Sequence, residues 1–209
     1  DNFVGVTLSR LYHDMLKDRL YTYGRDWPAR RSAQTVIEAI FSILTRTLAP
    51  ILAFTADEAW SYFEEGRELA DAFVAEQDWP DVPEAWRHLP AAAAIEEILS
   101  HRDAVNTQLE GLRKQKMKSL DAALTLRAPA GSPLLERLQT YQAALPEIFI
   151  VSRVFVEEAA VEQLEVLAER AQGERCPRCW RIVDHLVDAG EYGRICERDR
   201  DALLGMPVA

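Results

Sequence analysis

The three cysteines of the chain all lie in its last segment, in a pattern that suits a metal ion. Cys176 and Cys179 are separated by two residues, so both thiols can face one ion from a single tight turn. Cys196 follows later in the chain and can approach the same ion from a second turn. Because thiolates are the preferred ligands of a closed tetrahedral zinc site, this spacing predicts one structural zinc ion.

Asp199 occupies the position at which a four-cysteine site would have its last ligand. A carboxylate oxygen can bind zinc, although structural sites use it less commonly. His185 is an alternative fourth ligand whose place between the two turns fits poorly, and a site that has lost its metal is a third interpretation. Three unrelated thiols would be a fourth, and a disulfide is disfavoured because no secretory segment is visible. The predicted ligands are therefore Cys176, Cys179, Cys196 and Asp199.

The composition is that of a folded protein with one large domain or a domain and a smaller satellite. Of the 209 residues, 48% are hydrophobic, and no apolar run approaches the roughly 20 residues that span a bilayer. The sequence starts at Asp1 with neither an initiator Met nor a signal-peptide pattern. We therefore expect a cytoplasmic piece of a longer polypeptide.

The charge of the chain is negative overall but uneven along its length. A net charge of −10 argues against a general nucleic-acid binder. Residues 10–31 and 108–118 nevertheless carry an excess of basic side chains, whereas residues 57–87 are strongly acidic. Two interpretations follow: these are ordinary solvated helix faces, or a polyanion meets a locally basic surface.

Apolar residues recur at helical spacing through the first half of the chain. The pattern predicts helices over 8–21, 32–48 and 91–116, and a short helix that Thr55 and Glu58 open as a capping box. Residues 64–90 are rich in acids, aromatics and proline, which favours an extended connection.

The periodicity then changes to that of strands. Residues 122–128, 148–156 and 162–168 predict strands, and Ser132 followed by Pro133 opens a helix between the first two. The predicted fold is mainly α. It consists of a helical bundle over 1–118, a small α/β junction unit over 119–171 and a zinc-knuckle-like tail over 172–209.

Three strings in the helical half resemble the anticodon-binding bundle of class I aminoacyl-tRNA synthetases for branched aliphatic amino acids. They are LKDRLY at 16–21, ARRSAQT at 29–35 and LAPILAFTADEAW at 48–60. In the later half, SLDAALTL at 119–126 and GERCPRCW at 173–180 are similar to bacterial-type isoleucyl-tRNA synthetases. Three departures are Asp199 for the fourth cysteine, the sequence KMKS at 116–119, and the absence of the bundle's first helices.

The resemblance implies a tRNA-recognising part of an isoleucine–tRNA ligase. Its partners would be tRNA(Ile), held by the anticodon stem-loop, and upstream catalytic and editing domains of the same polypeptide that use ATP. A monomer is expected. The rival interpretation is a non-catalytic regulatory or protein-interaction module that kept the synthetase fold, which the acidic charge and the missing fourth cysteine favour.

Candidate tRNA contacts are basic or aromatic, since arginine and lysine hold phosphates while aromatic rings stack on splayed bases. They are Arg30, Arg31, Arg113, Lys114, Lys116, Lys118, Arg178, Trp180 and Arg181. Alternatives stay open for several: Arg30 and Arg31 can pair with nearby acids, and the lysines can interact with a helix dipole. Trp180 can stack on a base or cover the tail's small core, and we expect the second.

No catalytic residues are predicted. The four histidines are scattered, and no serine or cysteine lies in a nucleophile motif. The string KQKMKS at 114–119 resembles the ATP-gripping loop of these synthetases, but the nucleotide-binding core that this loop needs has no counterpart in the sequence.

Overall fold

The computed structural model describes residues 2–64 and 73–207. The chain forms two compact units, one made of Asp1–Arg30 with Leu89–Ala209 and the other of Arg31–His88. The predicted strands and the predicted zinc ligands all lie in the first unit.

A three-stranded sheet lies at the centre of the first unit. Strand β1 (Ala122–Pro129) pairs in parallel with β2 (Arg153–Ala159) and antiparallel with β3 (Glu165–Arg170). The alternation that predicted β1 is visible as burial, because Leu124 and Leu126 are both fully buried.

Two short helices connect β1 to β2. Helix α6 (Pro133–Thr140) begins as predicted, since the Ser132 hydroxyl accepts a hydrogen bond from the backbone N–H of Leu135 at 3.1 Å. The chain then forms the four-residue helix α7 (Leu145–Ile148) before it enters β2. The predicted strand over 148–156 therefore starts too early, because Ile148 completes a helical turn.

The helix predicted over 91–116 is two helices. Helix α4 (Leu89–Ser100) and helix α5 (Arg102–Arg113) meet at His101, whose N–H donates to the carbonyl of Ile98 at 3.2 Å. This bond spans three residues instead of four and tightens the turn. Ile98 from α4 and both Val105 and Leu109 from α5 are buried in the sheet's core.

The first unit begins with a helical segment of two kinds. A π-helical stretch, Phe3–Tyr12, continues directly into α1 (His13–Thr22). Helix α1 is linked to α7 by a polar network: Arg19 donates to the buried carboxylate of Glu147 at 2.7 Å, and the Tyr23 hydroxyl donates to the same carboxylate at 2.9 Å. The network fixes which face of α1 packs against α7 in the first unit.

The second unit is a small helical assembly. It contains most of α2 (Pro28–Leu48) together with α3 (Ala53–Glu64), and it buries Trp60 and Val74. The prediction that Thr55 caps α3 is wrong, because the helix already begins at Ala53.

Part of the predicted connection over 64–90 is built from short 3-10 turns. Val74–Glu76 and Glu84–Trp86 form these turns, while residues 65–72 lie outside the described part of the chain. With eight α-helices in the described residues, a three-stranded sheet and small hairpins in the tail, the prediction of a mainly α fold is confirmed. None of the described helices has the length and apolar character to cross a bilayer.

Candidate metal centre and nucleic-acid interface

The first turn of the tail presents Cys176 and Cys179. It lies between strands β4 (Glu174–Arg175) and β5 (Ile182–Val183), which pair antiparallel. The N–H of Cys176 donates to the Arg181 carbonyl, and the N–H of Trp180 donates to the Cys176 carbonyl, both at 2.9 Å. These bonds close the turn and direct both thiols inward.

The second turn presents Cys196 and Asp199. Strands β6 (Val187–Asp188) and β7 (Arg194–Ile195) form a hairpin that leads into helix α8 (Glu197–Leu203). Cys196 precedes the first residue of α8, and Asp199 lies in its first turn. Because only two residues separate Cys196 from Asp199, both side chains lie on the same side of the chain where the helix begins.

The four predicted ligands form one buried cluster. Their ligand atoms all lie within 4.8 Å of one another, and Cys176 and Asp199 are fully buried. The sulfurs of Cys179 and Cys196 are 3.8 Å apart, and the sulfur of Cys176 lies 3.3 Å from Oδ2 of Asp199. Zinc–sulfur bonds of roughly 2.3 Å at tetrahedral angles place two sulfurs roughly 3.8 Å apart. Zinc therefore fits this donor set.

The other interpretations of the cysteines do not match this geometry. All three thiols are free, which excludes the Cys176–Cys179 disulfide in this structure. The exposed His185 is not part of the cluster formed by the described residues. Burial raises the pKa of Cys176, while the hydrogen bond with Cys196 and then burial raise the pKa of Cys179. Both thiols are thus neutral until a metal replaces their protons.

Two arginines lie against the outer oxygen of Asp199. Arg198 donates to Oδ1 of Asp199 through Nε at 3.1 Å and through Nη2 at 2.8 Å, and Arg178 lies 3.4 Å from the same oxygen. Arg198 also donates to both carboxylate oxygens of Asp18 on α1. Burial acts to raise the pKa of Asp18, but the hydrogen bonds and charges of Arg198, with the charge of Arg181, lower it below its usual value.

A cleft of about 530 Å³ lies between α1 and the first turn of the tail. One wall is α1, with Lys17 and Tyr21, and the other is the turn that carries Arg178, Trp180 and Arg181. The two aromatic side chains are exposed, Tyr21 by 76% and Trp180 by 60%. Aromatic rings beside cations are the groups that stack on unpaired bases and hold their phosphates.

The backbone is strained at two residues that line this cleft. Ile150 and Trp180 have φ angles of 57° and 65°, in the left-handed region that favours glycine. A β-branched residue adopts such an angle rarely, and strained residues of this kind cluster at binding sites. The Trp180 side chain is exposed and is not part of the buried cysteine cluster.

The three tail residues among the candidate tRNA contacts differ in how free they are. Trp180 is exposed, so the expectation that it covers the tail's small core is wrong. Arg178 donates to the carbonyl of Thr22 at the end of α1, and Arg181 is ion-paired with Asp18 at 3.1 Å. The small module is covered by these arginine contacts with α1 in place of the tryptophan.

Four basic candidates lie at the end of α5 and in the exposed turn that follows it. The Arg113 side chain contacts Glu110 and donates to the Ser119 hydroxyl at 3.0 Å. Lys114, Lys116 and Lys118 are exposed, and within the described part of the chain their ammonium groups form no ion pair. Lys116 has a φ of 63°, in the left-handed region, within this turn.

The remaining two candidates lie at the start of α2. Arg30 is half-buried and donates to the Tyr23 carbonyl at 2.9 Å, so its guanidinium helps to hold the loop between α1 and α2. Arg31 is exposed and donates to Gln34 at 3.3 Å.

Lys17, Tyr21 and Arg198 were not among the site residues predicted from the sequence. Tyr21 ends the string LKDRLY, which carried part of the family resemblance, and its large exposed ring beside a lysine was the available signal. Arg198 had none, because its partner Asp18 lies 180 residues away in the chain.

Comparison with known proteins places the chain in a family. Residues 1–127 match the family described as anticodon-binding domain of tRNA ligase. The chain belongs to this family. Residues 173–202 match a second family, the zinc finger found in FPG and IleRS, and these residues contain the complete buried cluster. The tail therefore carries a structural zinc site, and the zinc prediction is confirmed.

Three similar curated proteins are isoleucine–tRNA ligases. The one from Syntrophotalea carbinolica is 38% identical over 94% of this chain, and those from Methylacidiphilum infernorum and Thermotoga maritima are 36% identical over 98% and 95%. In each case the chain spans 22% of the relative's length. The resemblance to isoleucyl-tRNA synthetases is thus confirmed.

Proposed function

We propose that this chain is the tRNA-recognising part of an isoleucine–tRNA ligase. It holds tRNA(Ile) by the anticodon stem-loop, so that the acceptor end reaches catalytic and editing domains elsewhere on the same polypeptide. Those domains carry out the ATP-dependent aminoacylation, and the chain itself contributes binding energy and orientation. A monomer in the cytoplasm is the expected setting.

The observation that carries the proposal is the cleft between α1 and the first turn of the tail. An unpaired anticodon base inserted there would meet the exposed rings of Tyr21 and Trp180, and its phosphates would meet Lys17. Lys17 pairs with Asp14 at the surface of α1. On the opposite wall, Arg178 and Arg181 are held in ion pairs that are largely buried, so they shape the cleft and add positive potential.

The exposed lysines of the turn after α5 form a second contact. Among residues 2–64 and 73–207, no ion pair holds Lys114, Lys116 or Lys118, so these side chains can bind phosphates without breaking one. Arg113, the last residue of α5, would add to this contact. Arg31 would hold phosphate from its own exposed position in the second unit, whereas Arg30 acts mainly through the loop it stabilises. In this proposal the lysines bind phosphates and so position the RNA, whereas the aromatic rings of the cleft contact its bases.

The zinc ion has a structural role in this proposal. Its ligands are Cys176, Cys179, Cys196 and Asp199, a closed set that leaves no open position for a reacting group. The ion fixes the turn that carries Trp180. The proposed division into a bundle over 1–118, a junction over 119–171 and a zinc module over 172–209 assigns one contact surface to the end of the bundle and the other to the module.

A binding experiment with exchanged anticodons tests the proposal. Fluorescence anisotropy of labelled anticodon stem-loops would compare the tRNA(Ile) sequence with the same stem carrying an unrelated anticodon. We expect the tRNA(Ile) loop to bind at least tenfold more tightly at equal salt concentration. Equal binding of both loops, in a chain that retains its zinc, would contradict base recognition.

The rival function is a non-catalytic interaction module that kept the synthetase fold. The net charge of −10 favours it, because a protein that is negative overall repels RNA at long range. In that case neither loop binds above a random single strand of the same length, and the difference between wild type and a Trp180→Ala variant vanishes.

A further inference from the structure

The two oxygens of the Asp199 carboxylate face different groups. Oδ2 faces the metal cluster, 3.3 Å from the sulfur of Cys176, whereas Oδ1 accepts two hydrogen bonds from Arg198. Arg178 lies 3.4 Å from the same Oδ1. One oxygen is therefore free to bind a metal, and the other is already engaged on the opposite side.

Arg198 continues this contact to α1. Its Nη1 donates to Oδ2 of Asp18 at 2.6 Å, and its Nη2 donates to Oδ1 of Asp18 and to the hydroxyl of Thr22, each at 3.0 Å. The guanidinium also lies 4.8 Å from the centre of the Tyr23 ring. A planar guanidinium can pair with two carboxylates at once because its donors point in fixed directions.

We propose that Arg198 is a positioning residue for the zinc ligand Asp199 and that the pair links the metal centre to α1. The inference rests on the ligand assignment made under the proposed function. Arg198 holds Oδ1 and so restricts Asp199 to binding zinc through one oxygen. The carboxylate in turn holds Arg198 against Asp18, so that filling the metal site orders the end of α1.

A cysteine at position 199 would bind zinc without making this link. A thiolate has one sulfur and accepts hydrogen bonds weakly, whereas a carboxylate has a second oxygen to offer. Four anionic ligands also carry more negative charge than the two positive charges of zinc balance. Arg178 and Arg198, which pair with Asp199, offset this excess negative charge. The aspartate is therefore an alternative zinc ligand with an added function.

Cobalt substitution tests the positioning role. The wild-type chain and its Arg198→Ala, Arg198→Lys and Arg194→Ala variants would be loaded with Co²⁺, whose visible bands report the ligand set. We expect Arg198→Ala to keep the bands that arise from three thiolates, to shift the bands that arise from ligand geometry, and to release metal to a chelator roughly tenfold faster.

Two variants act as controls in that experiment. Arg198→Lys keeps a cation near Oδ1 and should recover part of the wild-type spectrum. Arg194→Ala removes an exposed arginine of the same tail that pairs with Glu174 and does not contact Asp199, so it should match wild type. An Arg198→Ala chain whose spectrum and release rate equal those of Arg194→Ala would overturn the proposal.

The Asp199→Cys variant tests the link to α1 and does not depend on the stability of the arginine variants. We expect one zinc per chain, a fourth thiolate in the cobalt spectrum, and at least fivefold faster amide hydrogen exchange over the last turn of α1. Unchanged exchange there would refute the link. An unaltered cobalt spectrum in Asp199→Ala would instead refute the ligand assignment, so the two failures are distinguishable.

Discussion

Around the three-stranded sheet, buried leucines, isoleucines and valines from helices and strands form one continuous core, to which Leu124 and Val105 belong. In the tail, the buried cluster consists of the three cysteines with Ala189 and Ile195. The sheet is held by apolar area removed from water, whereas the tail is too small for that and depends on a metal and on arginine contacts with α1. The two regions should therefore respond to different perturbations.

Removing zinc should produce the largest difference between the two regions. Structural zinc contributes on the order of 10 kcal/mol to the folding of a small module, so chelation or a Cys176→Ser substitution should unfold the tail. The sheet should remain folded because its core lies outside the zinc cluster. Hydrogen exchange measured peptide by peptide would show protection lost over 174–203 and retained over 122–129. Loss of protection in both regions would mean that the sheet depends on the metal as well.

The complementary change is Leu124→Ala in the sheet. Leu124 is fully buried, and truncating a buried leucine costs about 2–5 kcal/mol. Urea denaturation followed by far-ultraviolet circular dichroism would measure the loss, and zinc content should stay at one ion per chain. Leu167→Ala on β3 is the matched control, because that side chain is 45% exposed and should cost less than about 1 kcal/mol. Comparable losses in the two variants would contradict the assignment of the core.

A third change concerns the polar network between α1 and α7. Glu147 is buried and accepts hydrogen bonds from Arg19 and Tyr23, so Glu147→Gln leaves Arg19 without its countercharge. The free energy of unfolding should fall by about 1–3 kcal/mol, again measured by urea denaturation. An equally large loss from Glu157→Gln, whose ion pair with Arg127 is exposed, would show that burial is not the cause.

The two regions also differ in what the sequence predicts. Strand β1 follows from its alternation and α6 from Ser132 and Pro133, since these signals act over a few residues. The spacing of the cysteines and Asp199 likewise suffices to suggest one cluster, because each pair shares a turn. The break at His101 has no such signal, since neither glycine nor proline marks it.

Contacts between residues that are distant in the chain could not be predicted from the sequence, for a physical reason. Trp180 was expected to fill the tail's core, but arginine contacts with α1 cover the module and leave the ring exposed. The pairing of Arg198 with Asp18 likewise depends on how the tail packs on α1, which local spacing does not encode. Surfaces formed by two distant segments, such as the cleft, are therefore found only in the structure.

Trp180→Ala should separate binding from stability in the tail. Stacking on an aromatic side chain contributes about 1–3 kcal/mol per base, so affinity for the tRNA(Ile) anticodon stem-loop should fall accordingly. Stability and zinc content should change little because the ring is exposed. Trp86→Ala, which removes another exposed tryptophan in the second unit, serves as the control, and equal losses of affinity would exclude a specific role for Trp180.

The smallest expected effect comes from the turn after α5, and salt dependence is the measurement that isolates it. Lys114→Glu combined with Lys116→Glu removes up to two phosphate contacts, which should weaken binding by about 1–2 kcal/mol. The slope of log affinity against log salt concentration should become less negative by roughly one to two. The anticodon preference should persist, since phosphates carry no sequence information. Arg87→Glu changes the charge of an exposed residue in the second unit and should leave the slope unaltered.

If the double variant keeps the wild-type slope, the lysines lie outside the interface and the cleft alone binds the RNA. If the preference disappears with the slope, the turn takes part in base recognition, and the two surfaces are less distinct than their side chains indicate.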